Sequence, residues 1–439
     1  MSALEIGLVS VIAIVVLIYL GVYIPVALGV VSFVAIWLMR DNFDLAMNLL
    51  KVAVGDSVME YAFATIPLFT FMGLLVSKAG LGTDIYAVMN ELFRRVRGGV
   101  GMATVGANAV FAAVTGSSIA SASVFTRVSV PEMIALRYNP RFAVGVVAGS
   151  SVLGMIIPPS AMLIIYSFVA EQSVGQMFLA GIGPGLLLAV AYIVAIFVMT
   201  RVRPTFVGGT ITGTGTDTGE RLTLRDMVAK TSPVVVLTAL VLGGIYTGWL
   251  TPVEAGAGGS AIALAIALLR RRLSLAAFWE TLIETGHITA SILFLITTAS
   301  IYSRMLGIAA LPNELADMLS AQQFGFVGVM AIYVVLMLFL GTLLDTASII
   351  LVVVPLFLPI IEPMGLSLVW FGIVTVVGAE IGLLTPPLGI SCFVIKATIG
   401  DPRISLKDVF LGALPFALVM LLVLIVLIRF PAISIGILG

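Results

Sequence analysis

Two regions of this 439-residue chain, far apart in sequence, carry the same irregularity. In each, a long apolar stretch is cut by small polar residues, and a later apolar stretch is cut by Pro-Pro. The first region has Thr115-Gly116-Ser117-Ser118 after Phe111, then Gly154-Met155-Ile156-Ile157-Pro158-Pro159-Ser160. The second has Gly341-Thr342 and Asp345-Thr346 after Phe339, then Gly382-Leu383-Leu384-Thr385-Pro386-Pro387. Hydrophobic residues make up 61% of the chain and charged residues 10%, against about 45–50% and about 25% in soluble domains, so the solvent is a bilayer. Backbone broken inside a bilayer survives only where protein or an aqueous cavity covers it. Matched interruptions in two halves therefore point to the binding site of a secondary transporter.

Apolar runs of spanning length are Ile6–Leu20, Ile24–Leu38, Tyr61–Val76, Phe142–Ala170, Met177–Met199, Pro233–Trp249, Ala255–Leu269, Phe278–Ser300, Leu368–Lys396 and Val409–Leu427. With no basic stretch before it, Ile6–Leu20 reads as a first helix and not a cleaved signal. Residues 98–136 and 324–361 are apolar but centrally interrupted and read as re-entrant hairpins, with tips at Thr115–Ser118 and Gly341–Thr346. Two full spans each is the alternative, for which each arm is barely long enough. Thr83–Val96 and Arg304–Gln322 have amphipathic patterns that suit helices lying in the membrane interface or simple connections.

The expected fold is an all-α polytopic membrane protein of two inverted repeats. Residues 1–200 form the first repeat, with scaffold helices in 1–60, an arm helix at 80–97, the hairpin at 98–136 and a broken helix at 142–170. Residues 201–230, polar and rich in Gly and Thr, form a cytoplasmic linker. Residues 231–439 form the second, with scaffold helices in 231–275, an arm at 302–322, the hairpin at 324–361 and a broken helix at 368–396. If both hairpins return to their own side, one face carries most of the basic residues, among them Lys78, Arg94, Arg95, Arg97, Arg137, Arg141, Arg270, Arg271, Arg272, Lys396, Arg403 and Lys407. The other carries only Arg40, Lys51, Arg304 and Arg429. The positive-inside rule makes the first face cytoplasmic and puts both termini outside. The hairpins then enter from opposite sides, as an inverted repeat requires.

Several function classes are excluded. One histidine, His287, and one cysteine, Cys392, allow no histidine–cysteine metal cluster and no disulfide. A formal net charge of zero argues against nucleic acid as a partner. No nucleophile–base pair marks an enzyme. A helix broken at mid-depth instead offers carbonyls and hydroxyls to a small hard cation, or amides to an anion. Two tip–break pairs predict two cation sites flanking one substrate site, unless Pro-Pro serves only to kink a helix.

An ordered set of motifs covers nearly the whole chain and resembles the large membrane subunit of tripartite ATP-independent periplasmic (TRAP) transporters, the DctM-like branch of the ion-transporter superfamily. The motifs are Gly116-Ser117-Ser118-Ile119-Ala120-Ser121, Pro131-Glu132-Met133 and Ile157-Pro158-Pro159-Ser160. In the second half they are Gly341 with Asp345-Thr346, Phe371-Gly372-Ile373, Glu380-Ile381-Gly382 and Leu384-Thr385-Pro386-Pro387-Leu388-Gly389. The resemblance implies an elevator-type, sodium-driven importer of an organic acid, a carboxylate, dicarboxylate or sugar acid such as sialic acid, in the bacterial inner membrane. It implies a periplasmic substrate-binding protein and a small four-helix membrane subunit as partners. Because the chain starts directly with its first span, the small subunit is expected as a separate chain. Carried over by motif, one sodium is expected among Ala112, Thr115, Ser117, Gly154, Ile157 and Pro158, and another among Gly341, Gly382, Thr385 and Leu388. No organic cofactor is implied.

Ser118, Asp345 and Thr346 at the tips are candidate substrate contacts; Asp345 aligns with Ser118 when Ala120-Ser121 is set against Ala347-Ser348. Asp345 also suits a helix cap. Arg127 could fork onto a carboxylate, snorkel, or pair with Glu132. Glu380 reads as a structural hydrogen-bonding group, and Glu254, Glu280, Glu284 and His287 as scaffold or interface residues. The rival readings are a stand-alone sodium–carboxylate symporter and a membrane scaffold or receptor that transports nothing.

Overall fold

The computed structural model describes residues 1–209, 221–321, 324–387 and 389–438; among them the chain is helical, with one isolated bridge between Tyr138 and Gly208 and no strand. The first half runs α1 (Ala3–Tyr19), α2 (Ile24–Arg40), α3 (Phe43–Met59), α4 (Thr65–Lys78), α5 (Leu81–Phe93), α6 (Gly99–Thr115), α7 (Ser118–Ala135), α8 (Pro140–Ser151), α9 (Leu153–Ile156), α10 (Ala161–Val169) and α11 (Val174–Val202), then a short α12 (Pro204–Val207). The second runs α13 (Leu224–Tyr246), α14 (Pro252–Leu269), α15 (Leu275–Ala309), α16 (Leu311–Ala321), α17 (Phe326–Gly341), α18 (Thr346–Ile361), α19 (Leu368–Gly382), α20 (Ile390–Ile399), α21 (Leu406–Arg429) and α22 (Ala432–Ile435). Among the described residues six helices are long and apolar enough to cross a membrane, or seven if α8–α9 and α10 form one span bent by 45°.

Helix starts in this chain are marked chemically. The first amides of a helix lack internal partners, a costly state where water is scarce. Ser117, Asn139, Ser160, Asp345 and Ser367 each supply a side-chain oxygen to the helix that follows. Ser2 with Glu5, Thr223 with Asp226, Thr251 with Glu254 and Ser405 with Asp408 form reciprocal capping boxes.

Three expectations need correction. The expected arm at 302–322 is not one helix: α15 runs on to Ala309, Ala310 takes a left-handed φ of +55°, and α16 restarts at Leu311. Pro312 has no amide to continue the earlier ladder, which places the break there. Residues 322 and 323 lie outside the described residues. The polar linker is shorter than 201–230, because α11 reaches Val202 and α13 starts at Leu224, with residues 210–220 outside the described set. Finally, α3 is a full helix where no apolar run was evident, since Asp44, Lys51 and Asp56 interrupt it.

Packing partners recur between the halves. Where α1 packs on α2, α13 packs on α14; where α2 packs on α15, α14 packs on α4. The contacts α6–α8 and α17–α19 correspond, as do α8–α21 and α19–α11. The parts following tip and break exchange: α7 packs on α20, and α18 on α10. Caps and breaks keep one constant spacing, with Asn139 matched to Ser367, Ser117 to Asp345 and Pro158 to Pro386. That spacing shifts the expected alignment by one residue: the counterpart of Asp345 is Ser117, and Ser118 corresponds to Thr346.

The segment ends richest in basic residues also meet one another. Asp84 pairs with Arg270 and lies 3.9 Å from Lys230. Arg141 Nε donates to Asp408 Oδ1 at 2.6 Å, and the Gly209 amide donates to the Arg137 carbonyl at 2.8 Å. Elsewhere, Arg304 of α15 bonds Asp56 of α3 at 2.8 Å.

Candidate functional site

The first tip is built by backbone close approach. Gly116 ends α6 with φ +58° and donates its amide to the Ala112 carbonyl at 3.2 Å. A Cβ on Gly116 would lie 2.3 Å from the Pro159 carbonyl oxygen, and one on Gly154 would lie 2.7 Å from the Ser117 carbonyl oxygen. On the opposite side a Cβ on Gly73 of α4 would lie 2.6 Å from the Thr115 carbonyl oxygen. Three glycines thus let the tip sit against both the first break and α4. Ser117 caps α7 through the Ala120 amide at 3.3 Å, and the Thr115 hydroxyl donates to the Phe111 carbonyl at 2.9 Å.

Proline chemistry sets the break opposite. The amides that would bond the carbonyls of Gly154 and Met155 one turn on belong to Pro158 and Pro159, and do not exist. The Ser160 hydroxyl takes over for Met155. In the second half the Gly382 carbonyl would await Pro386; it accepts from the Thr385 amide at 3.0 Å and the Thr385 hydroxyl at 2.8 Å. Both Pro-Pro bonds are cis.

The second tip shares the close approach but not the enclosure. A Cβ on Gly341 would lie 2.7 Å from the Gly382 Cα. Asp345 caps α18 through the amides of Ala347 at 3.1 Å and Ser348 at 3.4 Å, and the Ser348 hydroxyl also donates to it. The Thr346 hydroxyl donates to Glu380 Oε1 at 2.7 Å. Glu380 is fully buried, and its Oε2 has no partner among the described residues. Pro158 and Pro159 are buried, whereas Pro386 and Pro387 are exposed and the second break stretches from Leu383 to Gly389. Leu388, expected as a cation ligand, lies outside the described residues.

Thr346 is the only donor to Glu380 among the described residues, so Thr346→Val should leave a buried carboxyl unsatisfied. A loss of roughly 1–3 kcal/mol is expected, visible as a lower Tm that Thr346→Ser restores. An unchanged Tm would show that the bond carries no stability.

A cavity of about 750 Å³ opens beside the first tip, between α4, α7, α10 and α15. Of the expected site residues, Thr115, Ser117 and Arg127 line it. Ala112, Ser118, Gly154, Ile157 and Pro158 are buried behind that lining, and Gly341, Asp345, Thr346, Gly382 and Thr385 do not reach it. This cavity is thus lined by the first tip and not by the second-tip residues among those described. Arg127 does not pair with Glu132, which instead accepts from Asn90 Nδ2 at 2.6 Å. The reading from sequence missed Lys78, Ser123 and Glu284, which also line the cavity. Glu284 could have been found: with Ile288 and Ile292 it forms a stripe at helical spacing in an apolar span.

Comparison with known proteins places this geometry. The family model described as "Tripartite ATP-independent periplasmic transporter, DctM component" matches residues 11–433. The chain belongs to this family. As a DctM component it is a multi-pass protein of the bacterial inner membrane, a transporter subunit and not an enzyme. It is similar to the C4-dicarboxylate TRAP transporter large permease protein DctM of Pseudomonas aeruginosa, 30% identical over 393 residues and covering 88% of each chain. It is 28% identical to the sialic acid TRAP transporter large permease protein SiaM of Vibrio cholerae, over 93% of each chain. The crystal structure of the YdaH transporter of Alcanivorax borkumensis shares the fold of this DctM component, with a TM-score of 0.66 at 13% identity over 88% of this chain and 89% of that one.

Proposed function

We propose that this chain is the large membrane subunit of a sodium-coupled importer of an organic acid, working by movement of its tip–break unit against the remaining helices. The observation that carries this reading is the first tip, clamped by glycine contacts to a proline break and bordering a cavity whose other walls include α4 and α15. Relatives named for C4-dicarboxylate and sialic acid support an acid carrying a carboxylate as substrate.

Sodium, the co-transported ion, is assigned to the hydroxyls of Thr115 and Ser117 with the backbone of Ala112, Gly154, Ile157 and Pro158. A second sodium falls to Gly341, Gly382, Thr385 and Leu388. Such uncharged oxygen sets suit a hard monovalent cation. Ser118, Asp345 and Thr346 at the two helix starts are assigned to the acid. In this reading the first tip brings its share of the acid site to the cavity, and the second tip supplies the rest. The recurrent packing partners support two inverted repeats, with the two hairpins, both broken helices and their exchanged contacts moving as one body. Contacts among the basic segment ends support one cytoplasmic face, with both termini periplasmic and the cavity opening inward. A small four-helix membrane subunit and a periplasmic binding protein complete the transporter.

The test is uptake into proteoliposomes containing this chain, its small subunit and the binding protein. Accumulation of a carboxylic acid only with an inward sodium gradient is expected. Equal uptake without the gradient would overturn sodium coupling, and uptake without the binding protein would favour a stand-alone symporter.

A further inference from the structure

The cavity beside the first tip has a charged region that the tip chemistry does not use. Along α7 its wall is formed by Ala120, Ser123, Val124 and Arg127, a stripe at helical spacing that ends in a guanidinium. Lys78 on α4 and Glu284 on α15 line the same space. Lys78 is already engaged, its Nζ bonded to Glu280 at 2.7 Å. Arg127 and Glu284 make no ion pair among the described residues. Arg127 is thus the one cation lining this cavity that no carboxylate compensates, and its side chain is exposed to the space. Nine residues separate it from Ser118, roughly 14 Å at the helical rise, so it belongs to the outlet and not to the tip.

We infer that Arg127, with the Ser123 hydroxyl one turn before it, forms a second carboxylate-binding station at the cavity outlet, kept weak by Glu284 of the opposite wall. A guanidinium offers two parallel donors to a carboxylate, and aliphatic walls such as Ile119, Ile288 and Ile292 concentrate its field. The Glu284 carboxylate repels the same anion. An acid leaving the tip finds an attractive halt that does not trap it. The proposal rests on the reading of this chain as an acid transporter, and assigns to its release path the residues that set how fast acids leave.

The experiment measures anion preference at the station without needing the natural acid. In the reconstituted transporter, Ser123→Cys is reacted with an anionic and with a cationic methanethiosulfonate, and the ratio of the two rates is taken. With Arg127 in place the anionic reagent should be favoured; adding Arg127→Gln should lower the ratio about tenfold, and adding Glu284→Gln should raise it severalfold. Succinate should slow reaction with a neutral maleimide when Arg127 is present, and fail to do so with Arg127→Gln. A ratio unmoved by Arg127→Gln, or moved the same way by Glu284→Gln, overturns the station while sodium-driven uptake stands. Loss of sodium-driven uptake in the unmodified protein would instead overturn the transport reading, whatever the ratio.

Discussion

Gly382→Ala is expected to cut sodium-driven uptake roughly tenfold to hundredfold while leaving a folded, membrane-inserted protein. The added Cβ would lie 2.3 Å from the Gly341 Cα and 2.5 Å from its carbonyl carbon. Both are backbone atoms, so no side-chain rotation relieves the contact. The end of α17 must move off α19, and the second cation site, assigned between these two glycines, loses its geometry. Forced overpacking of this kind costs about 1–3 kcal/mol. Expressed as coupling, that is a roughly tenfold to hundredfold loss. The helix itself should tolerate alanine well, because glycine is the poorer helix former. Gly243→Ala is the control: its Cβ would meet nothing within 4 Å, and uptake and Tm should both be preserved. Uptake by Gly382→Ala equal to that of the control would show that the close approach has no functional role.

Ser117→Asp is expected to separate the two duties of the first tip. Ser117 caps α7 and lines the cavity. Aspartate caps as well as serine does, so stability should change by no more than a few tenths of a kcal/mol, about the resolution of a Tm comparison. The second half supplies the precedent, since Asp345 caps α18 at the matching position. Ser117 is assigned to the first sodium, and a fixed negative charge in that uncharged oxygen set would hold the cation too tightly for release, so uptake should fall at least about tenfold with Tm unchanged. Ser117→Ala gives the complementary result, a lost cap and a lower Tm. Full uptake by Ser117→Asp would place the first sodium elsewhere.

Much of this architecture is legible from residues because the bilayer leaves few options. Once Thr115–Ser118 and Pro158–Pro159 interrupt apolar stretches, something must cover the freed backbone, and Gly116 and Gly154 are the residues that let it happen. The arms 98–136 and 324–361 resolve into α6–α7 and α17–α18 nearly as the apolar runs suggest. Alignment by shared Ala-Ser pairs slipped one residue because it matched residue types; the caps at Ser117 and Asp345 are the physical landmark. Ala310 itself carries no sequence signal of a left-handed bend; the mark of the helix restart is Pro312, two residues on, which the amphipathic pattern of 304–322 masked. Arg127 stood out from sequence and Glu284 carried a helical-spacing signal, but their common cavity with Lys78 was hidden for a different reason. Lys78, Arg127 and Glu284 sit on three separate helices, and only packing brings them to one cavity. From sequence Lys78 counts merely as one more charge on the basic face, and Glu284 as part of the scaffold.

Transport by this chain requires α7 and the first tip to move relative to α4 and α15, so that one cavity serves both sides of the membrane. Accessibility of Ala120→Cys, in the cavity lining, tests this most directly, using a membrane-impermeant maleimide applied to one face at a time. Labelling from the cytoplasmic face in one condition and from the periplasmic face in another, switched by sodium and the acid-loaded binding protein, is the predicted result. Labelling from a single face under every condition would contradict it.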